Sequence, residues 1–218
     1  MFTEDSSFCS SPAWATILKR NYPLTIIDIP MQKIPSLFQR DYKGNRQVID
    51  QVVDGCQWVL LGEGMATEKI DGTCCMIRDG ELFRRHDRKQ GKPAPNGWIA
   101  AEPAPDPVTG HWPGWTKITD TPADRWHREA FDANRSLPNG TYELVGPKIQ
   151  GNAYELTQHE LRSHESAAQY PLFPRSFDAI REALQEMLIE GIVWHHPDGR
   201  MCKIKRRDFG LPWPVSDC

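Results

Sequence analysis

The chain has 218 residues, 39% of them hydrophobic and 25% charged, and a formal net charge of −3. That length allows one sizeable core with at most a small appendage, and the composition is that of an ordinary globular protein. No apolar run reaches membrane-spanning length, Met1–Ser11 lacks the basic start and apolar segment of a secretion signal, and the six cysteines fit neither a disulfide framework nor a zinc spacing. Reduced thiols in a cytoplasmic setting are expected. On a weakly acidic chain, any nucleic-acid partner must be held by a local basic patch.

In chain order, residues 1–20 are Ser-rich and poorly periodic and read as a loose leader, with one domain expected over 21–218. Tyr22, and Phe38, Val48, Ile49, Val52, Val53 and Trp58 between charges, predict short strands or a helix beside the main sheet. Met65 to Ile70 reads as a strand and Cys74 to Arg78 as a second. Asp79-Gly80 is a hairpin turn into Glu81 to His86. The Pro/Gly-rich stretch from Gly91 to Gly114, with Trp98 and Trp112, is too long to be featureless, so an ordered excursion over the site is expected. Thr141 to Gly146 alternates like a strand after an Asn139-Gly140 turn. Ser176 is expected to cap a helix running to about Glu190, with Ile180, Leu184, Met187 and Leu188 on its core face. Gly191 then opens a strand, and Pro197-Asp198-Gly199 turns back into Met201 to Lys205, whose alternation sends Lys203 and Lys205 to one side.

One stretch carries chemistry. Lys69-Ile70-Asp71-Gly72 is the Lys-x-Asp-Gly pattern of a lysine that attacks the α-phosphorus of a nucleoside triphosphate and holds the nucleotide as a phosphoramidate. Asp71 and Gly72 fit a turn that presents the amine, with Gly72 letting the backbone approach a ligand. Further polar clusters follow: Arg84-Arg85, Glu143, then Glu190 with Lys203 and Lys205. Taken singly, an arginine pair on a hairpin or a Lys-x-Lys strand is a solvated face. Together they are the parts of a nucleotidyl transfer. Like charge from Lys203 and Lys205 would keep the Lys69 amine nucleophilic, and the same cations would neutralise charge developing on phosphate. Glu190 suits a divalent metal, and Glu143 a ribose hydroxyl.

The segments Lys69-x-Asp71-Gly72, Glu143-Leu144-Val145-Gly146, Glu190-Gly191-Ile192-Val193 and Lys203-x-Lys205 resemble the motifs of the nucleotidyltransferase superfamily of polynucleotide ligases and RNA-capping enzymes. More narrowly, Ala66–Cys75, Tyr142–Lys148, Glu190–His195 and Gly210–Pro214 look like the small ATP-dependent RNA ligase family that includes the vertebrate RNA ligase. The resemblance implies an α+β adenylation domain of twisted, largely antiparallel sheets with flanking helices. Little chain follows Lys205, too little for the OB-fold domain that DNA ligases and capping enzymes place there.

The resemblance also implies roles. Lys69 carries AMP from ATP, Glu190 acts with Mg²⁺ or Mn²⁺, and Lys203 and Lys205 hold the phosphates. Glu68, Asp71, Gly72 and Glu143 belong to the nucleotide site, and Arg85, in preference to Arg84, is the arginine beside the nucleotide. Lys148 reaches outer phosphates or RNA, or is an ordinary surface lysine. The expected partners are RNA 5′-phosphate and 3′-hydroxyl ends, with no membrane and a monomeric state. A DNA ligase or guanylyltransferase on the same scaffold is the closest alternative, and a catalytically idle RNA-end-binding protein the alternative of another class.

Overall fold

Period-two alternation marks several short stretches of the chain, and the computed structural model, which describes residues 33–89, 91–107 and 109–214, is rich in short strands. In order these are β1 (Phe38–Arg40), β2 (Val48–Val52), α1 (Gln57–Leu60), β3 (Met65–Glu68), β4 (Thr73–Arg78), β5 (Glu81–Arg85), β6 (Ile99–Ala100) and β7 (Gly114–Lys117). Then follow α2 (Arg125–Ala133), β8 (Gly140–Val145), β9 (Glu160–Ser163), α3 (Phe177–Glu186), β10 (Gly191–His195) and β11 (Met201–Lys205). The expected leader and Tyr22 lie outside the described residues.

The strands form a β1-β2 ribbon, a three-stranded sheet ordered β11-β10-β3 and a six-stranded sheet ordered β6-β7-β5-β4-β8-β9. All named pairings are antiparallel. Asp79 and Gly80 both take positive φ, 54° and 73°, which is how a two-residue turn follows the strand twist into the β4-β5 hairpin. Helices cover one face of each sheet. Ile180 and Leu184 of α3 pack on Ile192, Trp194, Cys202 and Ile204 of the smaller sheet. Ala130 and Phe131 of α2 pack on Cys75, Ile77, Tyr142 and Leu144 of the larger. The α2 helix has no counterpart in the sequence reading.

Helix α3 differs from expectation at both ends. Ser176 occupies the N-cap position, but its side chain makes no capping hydrogen bond. The helix stops at Glu186, with Met187 extended (ψ 142°), and Leu188 is 71% exposed and not part of the core face. The buried Arg206 supplies the reason: its Nη1 donates to the carbonyls of Leu184 and, at 2.6 Å, Met187. Those are helix-end acceptors that have no intrahelical donor.

The Pro/Gly-rich excursion is ordered by its tryptophans. Trp98 Nε1 donates to the His86 carbonyl (2.9 Å), Trp112 Nε1 donates to that of Glu102 (2.7 Å), and the two rings meet edge to face at 5.5 Å.

Two glycines are required by close packing. A Cβ at Gly72 would lie 2.5 Å from the Leu144 carbonyl oxygen and 2.8 Å from Glu143 Cβ, and neither Asp71 nor Gly72 has a positive φ. The Asp-Gly step therefore serves the approach of β4 to β8, so the close backbone contact that Gly72 permits here is with β8 and needs no unusual backbone angle. At Gly191 a Cβ would sit 2.1 Å from the Ile204 carbonyl oxygen and 2.8 Å from Lys205 Cα. Backbone cannot yield as a side-chain tip can. Gly191→Ala is therefore expected to cost about 1–3 kcal/mol, measured as a lower urea midpoint, whereas Gly199→Ala, where a Cβ meets nothing within 4 Å, loses only the cost of its positive φ.

Candidate functional site

Strand register assembles the site. Val193 lies opposite Lys203 on one side and Thr67 on the other, and His195 lies opposite Met201 and Met65. Gly191 lies opposite Lys205, and its carbonyl accepts from the Lys69 N–H at 2.8 Å. Lys69, Lys203 and Lys205 therefore share the face of the small sheet turned away from α3. Across from it, Cys74 is paired with Glu143 on β8, and Arg85 is paired with Trp115 on β7. Between the two sheets is a cleft of about 420 Å³, whose walls include Thr67, Lys69, Cys74, Arg85, Asp87, Thr141, Glu143, His164, His195 and Lys203.

Glu190 binds the lysines together. It is 4% exposed, and its Oε2 receives Lys69 Nζ at 2.5 Å while Oε1 receives Lys205 Nζ at 2.7 Å. Lys203 is part-buried because residues 35–37 run along the outer edge of β11: its N–H donates to the Pro35 carbonyl (2.9 Å) and its carbonyl accepts from Leu37 (2.7 Å). Burial, with Lys205 and Lys69 adding like charge, lowers the Lys203 ammonium from its ordinary 10.5 to about 8. Lys69 and Lys203 line the cleft while Lys205 and Glu190 stand behind them, and three lysines around one carboxylate leave the cleft floor positive. A concave, low-dielectric wall concentrates such a field on an anion.

The two arginines of the hairpin separate cleanly. Arg85 lines the cleft, with Nε donating to Asp87 Oδ1 at 2.7 Å. Arg84 points through the other face and pairs with the buried Asp124 at 3.0 Å. Glu68 is out of phase with Lys69 but also lines the cleft; its Oε1 accepts from the Tyr154 hydroxyl at 3.5 Å, and burial raises its carboxyl above the usual range. Asp71 is held by the C-terminal strap: Trp213 Nε1 donates to Oδ2 at 2.7 Å, and the Asp71 N–H donates to the Tyr154 hydroxyl at 2.8 Å. Its carboxyl is also raised, by burial. Lys148 is exposed and does not line the cleft; its N–H donates to His159 Nε2 at 3.3 Å. Asp71 and Gly72 likewise stand behind the cleft wall, where they place Lys69 without lining the space themselves.

Several cleft residues were not legible in advance: Thr67, Cys74, Thr141, His164 and His195. Thr67 Oγ1 and His195 Nε2 lie 3.0 Å apart, and burial, then His164 across the cleft, lowers the His195 imidazole. The available signal was their phase, since Thr67 and Lys69, and Thr141 and Glu143, are two apart on one strand face.

Residues 133–218 match the family model for RNA ligase 1, a span that holds Glu143, His164, Glu190, Lys203 and Lys205. The chain is similar to the RNA ligase family. RNA ligase 1 of Danio rerio is 29% identical over an alignment covering 70% of this chain and 69% of that protein. The Rattus norvegicus protein of the same name is 26% identical with the same coverage. The Pongo abelii one is 27% identical over 69% of each chain. Lys69 and Arg85 fall outside the family-model match, and the structure joins them to the matched residues by pairing β3 with β10 and by linking β5 to β8 through β4. No helix among the described residues is long and apolar enough to cross a membrane.

The buried ammonium gives a measurable sign. An unfolded chain keeps the Lys203 proton up to the ordinary 10.5, and the folded chain only to about 8. Lys203 therefore lowers stability at neutral pH, and stability rises with pH between those values. Lys203→Met is expected to raise the unfolding free energy at pH 7 by about 1–3 kcal/mol, an advantage over wild type that shrinks from pH 8 towards 10 in parallel urea titrations.

Proposed function

We propose that this protein is an ATP-dependent RNA ligase working through a lysyl-AMP intermediate on a nucleotidyltransferase fold. The observation that carries the reading is the Lys69 amine set at the floor of a cleft beside Glu190, Lys203 and Lys205, with Arg85 and Glu143 on the facing wall. The likeness to RNA ligases supports RNA as the polynucleotide.

In the first step the unprotonated Lys69 Nζ attacks the α-phosphorus of ATP. An N–P bond forms, the bond from the α-phosphorus to the bridging oxygen breaks, and pyrophosphate leaves. Lys203 and Lys205 offset the charge that develops on the phosphoryl oxygens. Glu190 accepts hydrogen bonds from Lys69 and Lys205, so it fixes the amine's direction as well as its ionic surroundings. Glu143 accepts a ribose hydroxyl. In the second step an oxygen of the RNA 5′-phosphate displaces Lys69 from the phosphorus and carries AMP away. In the third, a 3′-hydroxyl attacks the 5′-phosphorus, the phosphodiester forms, and AMP leaves.

Among the described residues no group of three or more His, Cys, Asp or Glu side chains comes together that could hold a metal ion by itself. That fits a hard cation that enters with phosphates and takes only one or two carboxylates from the protein, the role open to Glu190. Mg²⁺ or Mn²⁺ held there would neutralise phosphate charge near the α-phosphorus.

Lys69 is needed to capture AMP and not to join an end that already carries it. Lys69→Ala is expected to show no AMP adduct by intact-mass analysis with ATP and no joining of 5′-phosphate RNA, yet to seal chemically pre-adenylated RNA. Wild type should take its label from ATP in preference to GTP. A wild-type adduct mapped to another residue, or a GTP preference, would overturn the assignment, and failure of a folded Lys69→Ala on pre-adenylated RNA would place Lys69 in the sealing step too.

A further inference from the structure

Glu143 has an unusual neighbourhood for a strand glutamate. The residue directly across the ladder is Arg162 on β9, the natural ion-pair partner for a cross-strand carboxylate. Arg162 turns away from it: its Nε donates to Glu160 Oε1 at 2.7 Å, and its guanidinium lies 4.3 Å over the Tyr154 ring. The diagonal neighbour, His164, takes its place, with Nε2 3.2 Å from Glu143 Oε1.

His164 continues the ladder past the end of β9, its N–H donating to the Thr141 carbonyl at 3.1 Å, and its Nδ1 lies 2.9 Å from Thr141 Oγ1. A carboxylate only accepts, so Nε2 carries the proton and Nδ1 accepts from the threonine hydroxyl. Thr141 thus fixes the tautomer, and His164 fixes one oxygen of Glu143. The other oxygen, Oε2, is buried and, among the described residues, has no hydrogen-bond partner.

The difference between the two neighbours is chemical. An arginine would grip the carboxylate through both oxygens and neutralise it. A histidine Nε2–H takes one oxygen and leaves the other, at a cost, because a buried acceptor without a donor is unfavourable by more than an ordinary hydrogen bond is worth. A donor arriving in the cleft recovers that cost. Glu143, Thr141 and His164 all line the cleft, so a ligand seated there, once the carboxylate turns its buried oxygen towards it, supplies the donor.

We propose that His164 is a positioning residue that holds Glu143 by one oxygen so that the other is kept for a hydroxyl of the nucleotide's ribose, making the Thr141–His164–Glu143 array the determinant of ribose over deoxyribose. This rests on the nucleotide-site reading above and adds to it the residue that sets sugar selectivity. His164 acts through Glu143 and touches no reacting atom.

The test is an equilibrium titration of the intact protein with ATP, 2′-deoxy-ATP and 3′-deoxy-ATP, which needs no chemistry, with AMP-adduct formation followed in parallel by intact mass. Wild type is expected to bind ATP about tenfold or more tightly than at least one of the deoxy forms, the value of a hydrogen bond to a charged group. His164→Ala should weaken ATP by a similar factor, leave that deoxy form nearly unchanged, and so collapse the ratio. His164→Gln, which can still donate to Glu143 and accept from Thr141, should restore most of it. A structural role would weaken all three nucleotides together and leave the ratio intact. An unchanged ratio in a folded His164→Ala, equal binding of all three nucleotides by wild type, or no nucleotide binding at all would overturn the proposal. Selective binding without an adduct would uphold it while removing the covalent step of the proposed function.

Discussion

A carboxylate caught between two lysine amines is the interaction that the rest of this structure depends on. Glu190 sits 4% exposed with Lys69 on one oxygen and Lys205 on the other, and a charge so far from water is tolerable only when paired and hydrogen-bonded. Its partners come from β11 and from the residue that follows β3, strands that are not neighbours; β10 lies between them. Gly191 keeps that middle strand close enough for both amines to reach the one carboxylate, since a side chain there would meet the β11 backbone. The helix before it ends early, tied off by Arg206, and so Glu190 leads into the strand instead of riding on a helix face.

The cleft has walls of opposite character. Its floor carries lysines in excess over carboxylate, whereas the facing wall carries Glu143 and the Arg85–Asp87 pair. An anionic phosphate chain is drawn to the first, and neutral hydroxyl donors to the second. Such an asymmetry would orient a ligand that carries phosphates at one end and hydroxyls beside them, as the proposed nucleotide does. The conserved geometry of a ladder makes this possible: Thr67 and Lys69, Lys203 and Lys205, Thr141 and Glu143 are all pairs two residues apart, so each strand presents its polar residues to one face and its apolar ones to a helix.

The strap formed by Gly210 to Pro214 has a supporting part in the same arrangement. Arg206 donates to the Pro212 carbonyl at 3.0 Å and Arg207 to that of Trp213 at 2.6 Å, and Trp213 reaches across to Asp71. The residue two beyond the candidate nucleophile is therefore anchored by the far end of the described chain. The identity of Asp71 is explained by an indole donor, and that of Gly72 by the carbonyl of Leu144, so the motif's shape is as much a matter of packing as of chemistry.

By itself the sequence determined what local periodicity can encode. The alternation of β4, β8 and β11, the Asp79-Gly80 turn and the opening of β10 at Gly191 were all readable because strand phase and turn chemistry are properties of a few adjacent residues, whereas Gly140, read as part of a turn with Asn139, is the first residue of β8. The same phase put Lys203 with Lys205, while the preference for Arg85 over Arg84 came from the family resemblance. The tertiary structure decided everything that depends on which strands are neighbours. It placed Lys69 against Glu190, set Arg84 on Asp124 behind the sheet, left Lys148 outside the cleft, and brought His164 to Glu143 while turning Arg162 away. It also ended α3 at Glu186, where the apolar spacing through Leu188 pointed to a longer helix, because the carbonyl-binding guanidinium of Arg206 arrives from a distant strand end. Pairings of that kind join residues about 20 to 120 positions apart, and no short-range pattern carries them, since they follow from sheet order and the burial of whole faces.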